Sequence, residues 1–156
     1  LANTTAICTS FKSEILQAYH NLGTTVTRGG TGADSLKAAL YSTTGSIGAT
    51  TTAYTTTAEV SNVSGTSTNY NPGGVAVTNS TPPTTSGTTA YWTPSSAIVY
   101  SSVTISPAFD TVLIYNSSQS NRAILSFNFG STTITLGTLT LNMPTNAAGT
   151  ALINLS

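Results

Sequence analysis

Ala97-Ile98-Val99-Tyr100, Val103-Thr104-Ile105 and Thr111-Val112-Leu113-Ile114-Tyr115 follow one another in the second half of the chain. All three runs are rich in β-branched and aromatic residues, which read as strands. The third is continuously apolar, the pattern of a strand buried on both faces. Downstream, Ala123, Leu125, Phe127 and Phe129 alternate with more polar positions, as do Leu139, Leu141 and Met143, and Ala151, Ile153 and Leu155. Ser101-Ser102, Asn116-Ser117-Ser118, Gly130, Gly137 and the segment from Pro144 to Gly149 read as the turns between them. Tyr91 and Trp92 open the series. Short strands at this spacing argue for a sandwich or barrel. The expected fold is mainly β, a single β-sandwich or jelly-roll-like domain.

Upstream, Val75 to Thr78 reads as a further strand, preceded by the reversal signal Asn71-Pro72-Gly73-Gly74. Asn79 to Thr89, with Pro82-Pro83, reads as a loop, and residues 42–58, dominated by Thr, Ser, Gly and Ala, as a long surface connection. Asp34 to Tyr41 has strand period; a short helix also fits, and strand is favoured. Gly29, Gly30 and Gly32 read as a flexible turn. The one helix is expected over residues 10–22. There Phe11, Ile15, Ala18 and Leu22 are spaced four, three and four, one helical face, with Tyr19 beside it. Ser10 suits the start of that helix and Gly23 its end, and Glu14 lies where the helix dipole favours negative charge. The expected organisation is a polar arm at 1–9, a helix at 10–23 and a β-sandwich domain at 24–156.

Charged residues make up only 5% of the chain, against about 25% in ordinary soluble domains. Hydroxyls supply the polarity, and Thr suits a pleated, half-buried surface. Weak charge also means weak repulsion between copies, which favours a surface packed against other subunits. Four basic residues scattered along the sequence are too few to neutralise many phosphates, so nucleic acid is not an expected partner. One Cys and one His cannot supply four zinc ligands. The apolar runs are too short to span a bilayer as helices. The N-terminus lacks a basic region followed by an apolar core, so no signal peptide is visible.

Catalysis needs polar groups with tuned proton affinities in one place. His20, the sole histidine, reads as a surface or capping residue of the helix. No Gly-x-Ser-x-Gly turn accompanies the many serines. The four carboxylates are widely separated in sequence, and nothing selects a pair for hydrolysis. The plain reading is local: Asp34 starts a strand, Glu59 pairs or caps nearby, and Asp110 shapes a turn. Gly29-Gly30-Thr31-Gly32 lacks the Gly-Lys-Ser/Thr ending of a phosphate loop. Trp92, Tyr54, Tyr70, Tyr91 and Tyr100 form either a sugar-stacking platform or core packing. No catalytic residue, metal site or cofactor is therefore expected, and the chain reads as a non-enzyme.

A series of landmarks runs nearly the whole length. Phe11-Lys12 is followed by Asp34 to Tyr41, Tyr54, Glu59-Val60-Ser61 and Tyr70-Asn71-Pro72-Gly73-Gly74-Val75, then by Trp92, Phe109-Asp110, Leu113-Ile114-Tyr115-Asn116 and Phe129-Gly130. In this order they resemble a family of tailed-bacteriophage virion proteins encoded among the head genes. The resemblance implies a capsid cement or decoration protein, often trimeric, seated on the outside of the phage head and bound to the major capsid protein. The polar arm and the helix, through Phe11, Ile15, Tyr19 and Leu22, are then the candidate grip on a neighbour. Alternatively, Phe11, Ile15 and Leu22 cover the chain's own sandwich. A tail- or fibre-associated structural protein and a carbohydrate-binding or adhesin module are the alternative functions.

Overall fold

The computed structural model describes residues 2–24 and 32–156. Gly29 and Gly30 of the expected turn lie outside them, and Gly32 lies within. The protein is mainly β with one helix. In chain order it runs β1 (Ala6–Ile7), α1 (Thr9–Leu16), β2 (Leu36–Ser42), a single 3-10 turn (Val60–Asn62), β3 (Ser67–Thr68) and β4 (Val75–Val77). Then follow β5 (Thr84–Ser86), β6 (Thr89–Trp92), β7 (Ile98–Asn116), β8 (Arg122–Leu141) and β9 (Ile153–Leu155). A six-stranded sheet has the order β1-β8-β7-β2-β4, with β3 also on β7, and a three-stranded sheet has the order β5-β6-β9. All pairings are antiparallel. No helix among the described residues is long and apolar enough to cross a membrane.

The decisive run behaves as its composition predicts. Thr111 to Asn116 is buried at every position, because β2 pairs on one side of it and β8 on the other. Its surroundings differ from expectation. The three apolar runs are one strand, β7, which passes through Ser101-Ser102 and Pro107. Ser102 lies at φ 53°, and the register shifts on both sides of Pro107. A strand tolerates proline at such irregularities because no ladder N–H is needed there. Gly130 and Gly137 do not end strands either; both lie inside the 20-residue β8. Gly130, at φ 87°, bends the strand as a bulge glycine does. Phe127, expected to face inward, is 44% exposed.

The helix is shorter than its apolar spacing suggests. It ends at Leu16, with Ala18 at φ 58°. Ala18 N–H donates to Ile15 O (3.0 Å) and Tyr19 N–H to Glu14 O (3.0 Å), the paired closure of a Schellman motif. Ala18 therefore stops the helix, seven residues after Phe11, and Gly23 does not. Nor does Ser10 cap the start. The cap position is Cys8, and no side chain bonds there. An exposed alanine in the left-handed region is strained by about 1 kcal/mol relative to glycine. Ala18→Gly is accordingly expected to raise the thermal midpoint by about 2–4 °C, read by circular dichroism; an unchanged or lower midpoint would contradict this account of the helix end.

The other expectations shift in the same direction, toward more structure. Residues 2–9 of the expected arm are sewn into the sheet. β1 pairs Ala6 with Ser126, and Asn3 donates to Ser42 O (3.0 Å) while accepting from Ile47 N–H (2.8 Å). The connection at 42–58 is not all surface: Ile47 is buried, and Ala53 and Tyr54 bond the turn that joins β7 to β8. The loop at 79–89 contains β5, which turns through Gly87 (φ 58°) into β6.

Candidate functional site

The helix face proposed as a grip divides in two. Phe11 is fully buried, with its ring centroid 4.7 Å from that of His20. It belongs to the chain's own core and offers nothing to a neighbour. Ile15 and Leu22 are half-buried and line a cleft of about 340 Å³ between the helix and the small sheet, facing Tyr91, Trp92 and Ile153. Tyr19 lies at the surface with the Arg122 guanidinium 4.0 Å from its ring centroid, a cation–π contact. Leu16, which the apolar stripe omitted, is 88% exposed.

His20 is not a surface residue. Its side chain is 1% exposed, beside Glu14 at 2.8 Å, and Arg122 holds the other Glu14 oxygen at 2.7 Å. The enzyme reading requires this kind of pairing between His20 and a carboxylate, yet the ring is fully committed. The Asn116 amide nitrogen lies 3.0 Å from Nδ1 and 2.7 Å from Asp34 Oδ2. An amide N–H can only donate, so Nδ1 accepts and Nε2–H donates to Glu14. Neither ring nitrogen is left to take a proton from a substrate. Burial lowers the His20 pKa, against the opposing pull of Glu14, and keeps the ring neutral.

This lowering makes an acid-side prediction. The folded state binds the imidazole proton more weakly than the unfolded state, whose value is about 6.5. Stability from this residue is therefore full above pH 6.5 and declines as pH falls from there toward the lowered folded value. His20→Gln, which cannot take up a proton, should flatten the stability–pH curve over that interval in urea titrations. A slope identical to that of the parent chain would show that other groups set it.

Glu59 is fully buried and accepts three hydrogen bonds. They come from Tyr54 Oη (2.7 Å), Tyr70 Oη (2.8 Å) and Gly73 N–H (2.6 Å). Tyr115 Oη closes the ring on Gly73 O (2.8 Å). Burial first, and Glu59 after it, raises the proton affinity of Tyr70, Tyr100 and Tyr115. Asp34 accepts from Asn21 N–H (2.7 Å) as well as from Asn116, so it clamps the segment after the helix to the end of β7. Asp110 lies inside β7 and accepts from Asn3 (2.6 Å). Glu14, Asp34 and Asp110 are thus long-range internal acceptors, whereas Glu59 pairs nearby, as its sequence context suggests, with Tyr54, Tyr70 and Gly73.

The aromatic platform is not assembled. Trp92, Tyr70 and Tyr100 are buried, Tyr54 stacks on Tyr115 at 4.8 Å, and Trp92 Nε1–H donates to Thr81 O (2.9 Å). Of the five rings, Tyr91 alone retains a half-exposed face without a stacking partner among the described residues. Cys8 is buried, and burial pushes its thiol up to about 12. No group of three or more His, Cys, Asp or Glu side chains among the described residues is placed to hold a metal ion.

What remains outside is a surface of hydroxyls and scattered apolar side chains. From Ala123 to Ser156 the sequence has no charged side chain. Most of the landmarks that carry the resemblance, among them Tyr41, Glu59, Tyr70, Gly73, Trp92 and Phe109, are buried. They mark how the chain folds more than what it touches. No family model, curated protein or solved structure matches the chain.

Proposed function

We propose that this chain is a non-enzymatic structural component of a tailed-phage particle, a cement or decoration protein that binds the outside of the assembled head and braces the major capsid protein. The order of landmarks suggests the particle, and one observation supports the non-enzymatic part: all four carboxylates, with His20 and Arg122, make internal hydrogen bonds. Acid–base chemistry would need one of these groups to turn a proton-accepting or proton-donating atom toward a substrate. Their withdrawal leaves Lys12 and Lys37 as the exposed charged side chains among the described residues. Such a surface suits close packing in a shell, where desolvating unpaired charge is costly. A cement protein binds the assembled shell and not the free subunit, and so stabilises the shell by mass action. Many weak contacts repeated over many copies then act together.

Co-sedimentation of the purified chain with empty shells of its source particle tests this. Saturable binding at a fixed ratio to coat protein is the expected result. Absence of binding by the folded chain would reject the head-surface role and turn attention to a tail or fibre position.

A further inference from the structure

We propose that the outer edge of β8 between Gly130 and Leu136 pairs with the same edge of a second copy of this chain, antiparallel about a two-fold axis at Thr133. Nearer the start of β8, β1 pairs with this side at Leu125 and Ser126, and the flanking Cys8 and Thr5 bond Ile124 O and Asn128 N–H. Beyond Asn128 no strand of the described residues lies outside β8. Such an edge presents backbone N–H and C=O groups ready to pair. Natural edges are blunted by charge or proline, and β8 has neither between Ala123 and Leu141.

The pairing segment is bounded by two residues in the left-handed region, Gly130 at φ 87° and Leu136 at φ 47°. Between them Ser131-Thr132-Thr133-Ile134-Thr135 has the length of an ordinary strand.

A second copy is the occupant that fits. The chain's formal net charge is zero, so copies do not repel, whereas a charged strand would lose hydration here and meet no counter-charge. The edge is also complementary to itself. With Thr133 on the axis, Ser131 lies opposite Thr135, Thr132 opposite Ile134, and Leu136 opposite Gly130. Leu136 is 80% exposed, and nothing lies within 4 Å of the position a side chain would take at Gly130. Each leucine therefore has room over the partner's glycine. Threonines facing across the axis make favourable cross-strand pairs. The contact is two-fold, unlike the trimer implied by the resemblance, and it does not depend on binding to a shell.

Thr133→Cys tests the register. Residues directly opposed in an antiparallel pair have Cα atoms about 4.5–5.5 Å apart, within disulfide reach. With oxidised glutathione as oxidant, Thr133→Cys is expected to run as a covalent dimer on a non-reducing gel. Thr138→Cys, which has no self-opposed position in this register, should stay largely monomeric, as should the parent chain with its buried Cys8. Equal cross-linking at 138 overturns the register. Sedimentation tests the contact itself. At about 0.1 mM, a concentration at which a contact of modest size is occupied, the parent chain should sediment at twice its 15.9 kDa mass. Thr133→Lys, which sets two ammonium groups across the axis, should sediment as a monomer with an unchanged circular dichroism spectrum. A monomeric parent, a trimer, or a dimer that persists in Thr133→Lys overturns the proposal.

Discussion

Glu59→Ala is expected to lower the unfolding free energy by about 4 kcal/mol, because it strands two buried donors and one partly buried donor at once. The carboxylate is the common acceptor for Tyr54, Tyr70 and Gly73. Tyr70 Oη also accepts from Leu40 N–H at 3.0 Å, so the disturbance reaches the middle of β2. The Tyr70 hydroxyl and Gly73 N–H are buried and lose their carboxylate acceptor, while the half-buried Tyr54 hydroxyl is nearer solvent. Differential scanning calorimetry should find the midpoint lowered by roughly 10 °C. Glu59→Gln is expected to fall between the two, since one oxygen remains to accept while the amide N–H₂ faces donors. The same loss for both variants would show that the negative charge matters and hydrogen-bond geometry does not. A loss below about 1 kcal/mol in Glu59→Ala would mean the cluster is peripheral to stability.

Gly74→Ala should be worse still, and the expected result is failure to fold. Gly74 lies at φ 77°, and a Cβ there would sit 1.6 Å from Ala38 O, a backbone atom of β2. Neither partner can yield, because Ala38 O also accepts the Tyr100 hydroxyl at 2.8 Å and Ala38 is held between β4 and β7. The neighbouring glycines provide the scale. Gly73→Ala meets only Tyr115 Oη at 3.1 Å, and Gly87→Ala meets nothing within 4 Å. Both carry the left-handed penalty of about 1–2 kcal/mol, and Gly87→Ala should show little beyond it. Soluble yield and circular dichroism of the three variants rank them; a folded Gly74→Ala would mean β4 does not hold its place against β2.

These two positions also show what local sequence can and cannot convey. Asn71-Pro72-Gly73-Gly74 is legible as a reversal because turn chemistry is local. The buried run at 111–115 is legible because burial on both faces leaves an uninterrupted apolar record. The bends in β8 are not, since a glycine in the left-handed region serves a turn and a bulge alike. The helix end was hidden by Ala18, a residue type that ordinarily continues a helix. Apolar spacing continues to Leu22, yet Leu22 faces its cleft from a segment outside any helix or strand.

The ionic residues leave the least trace in local sequence. Asp34 and Asn116 are 82 positions apart, and Asn3 and Asp110 are 107 apart; spacing along the chain has no information about such pairs. Why the chain has so few charges is a question of burial. The answer in the fold is that the carboxylates serve as interior acceptors, and the helix stripe is shared between the core and a cleft.

The docking of the first residues against the second half of the chain has a temporal meaning. β1 rests on Leu125 and Ser126, and Cys8 N–H donates to Ile124 O. β2, the inner strand between β4 and β7, must wait for residues 109–116. During synthesis at about 5–20 residues per second, the nascent chain holds these segments unpaired for seconds while most of its length emerges. Folding is therefore a late, non-local event, of the kind that is intrinsically slow. The lone cysteine is a built-in clock for it: reactive toward thiol reagents in the growing chain, and silent once the seam has closed.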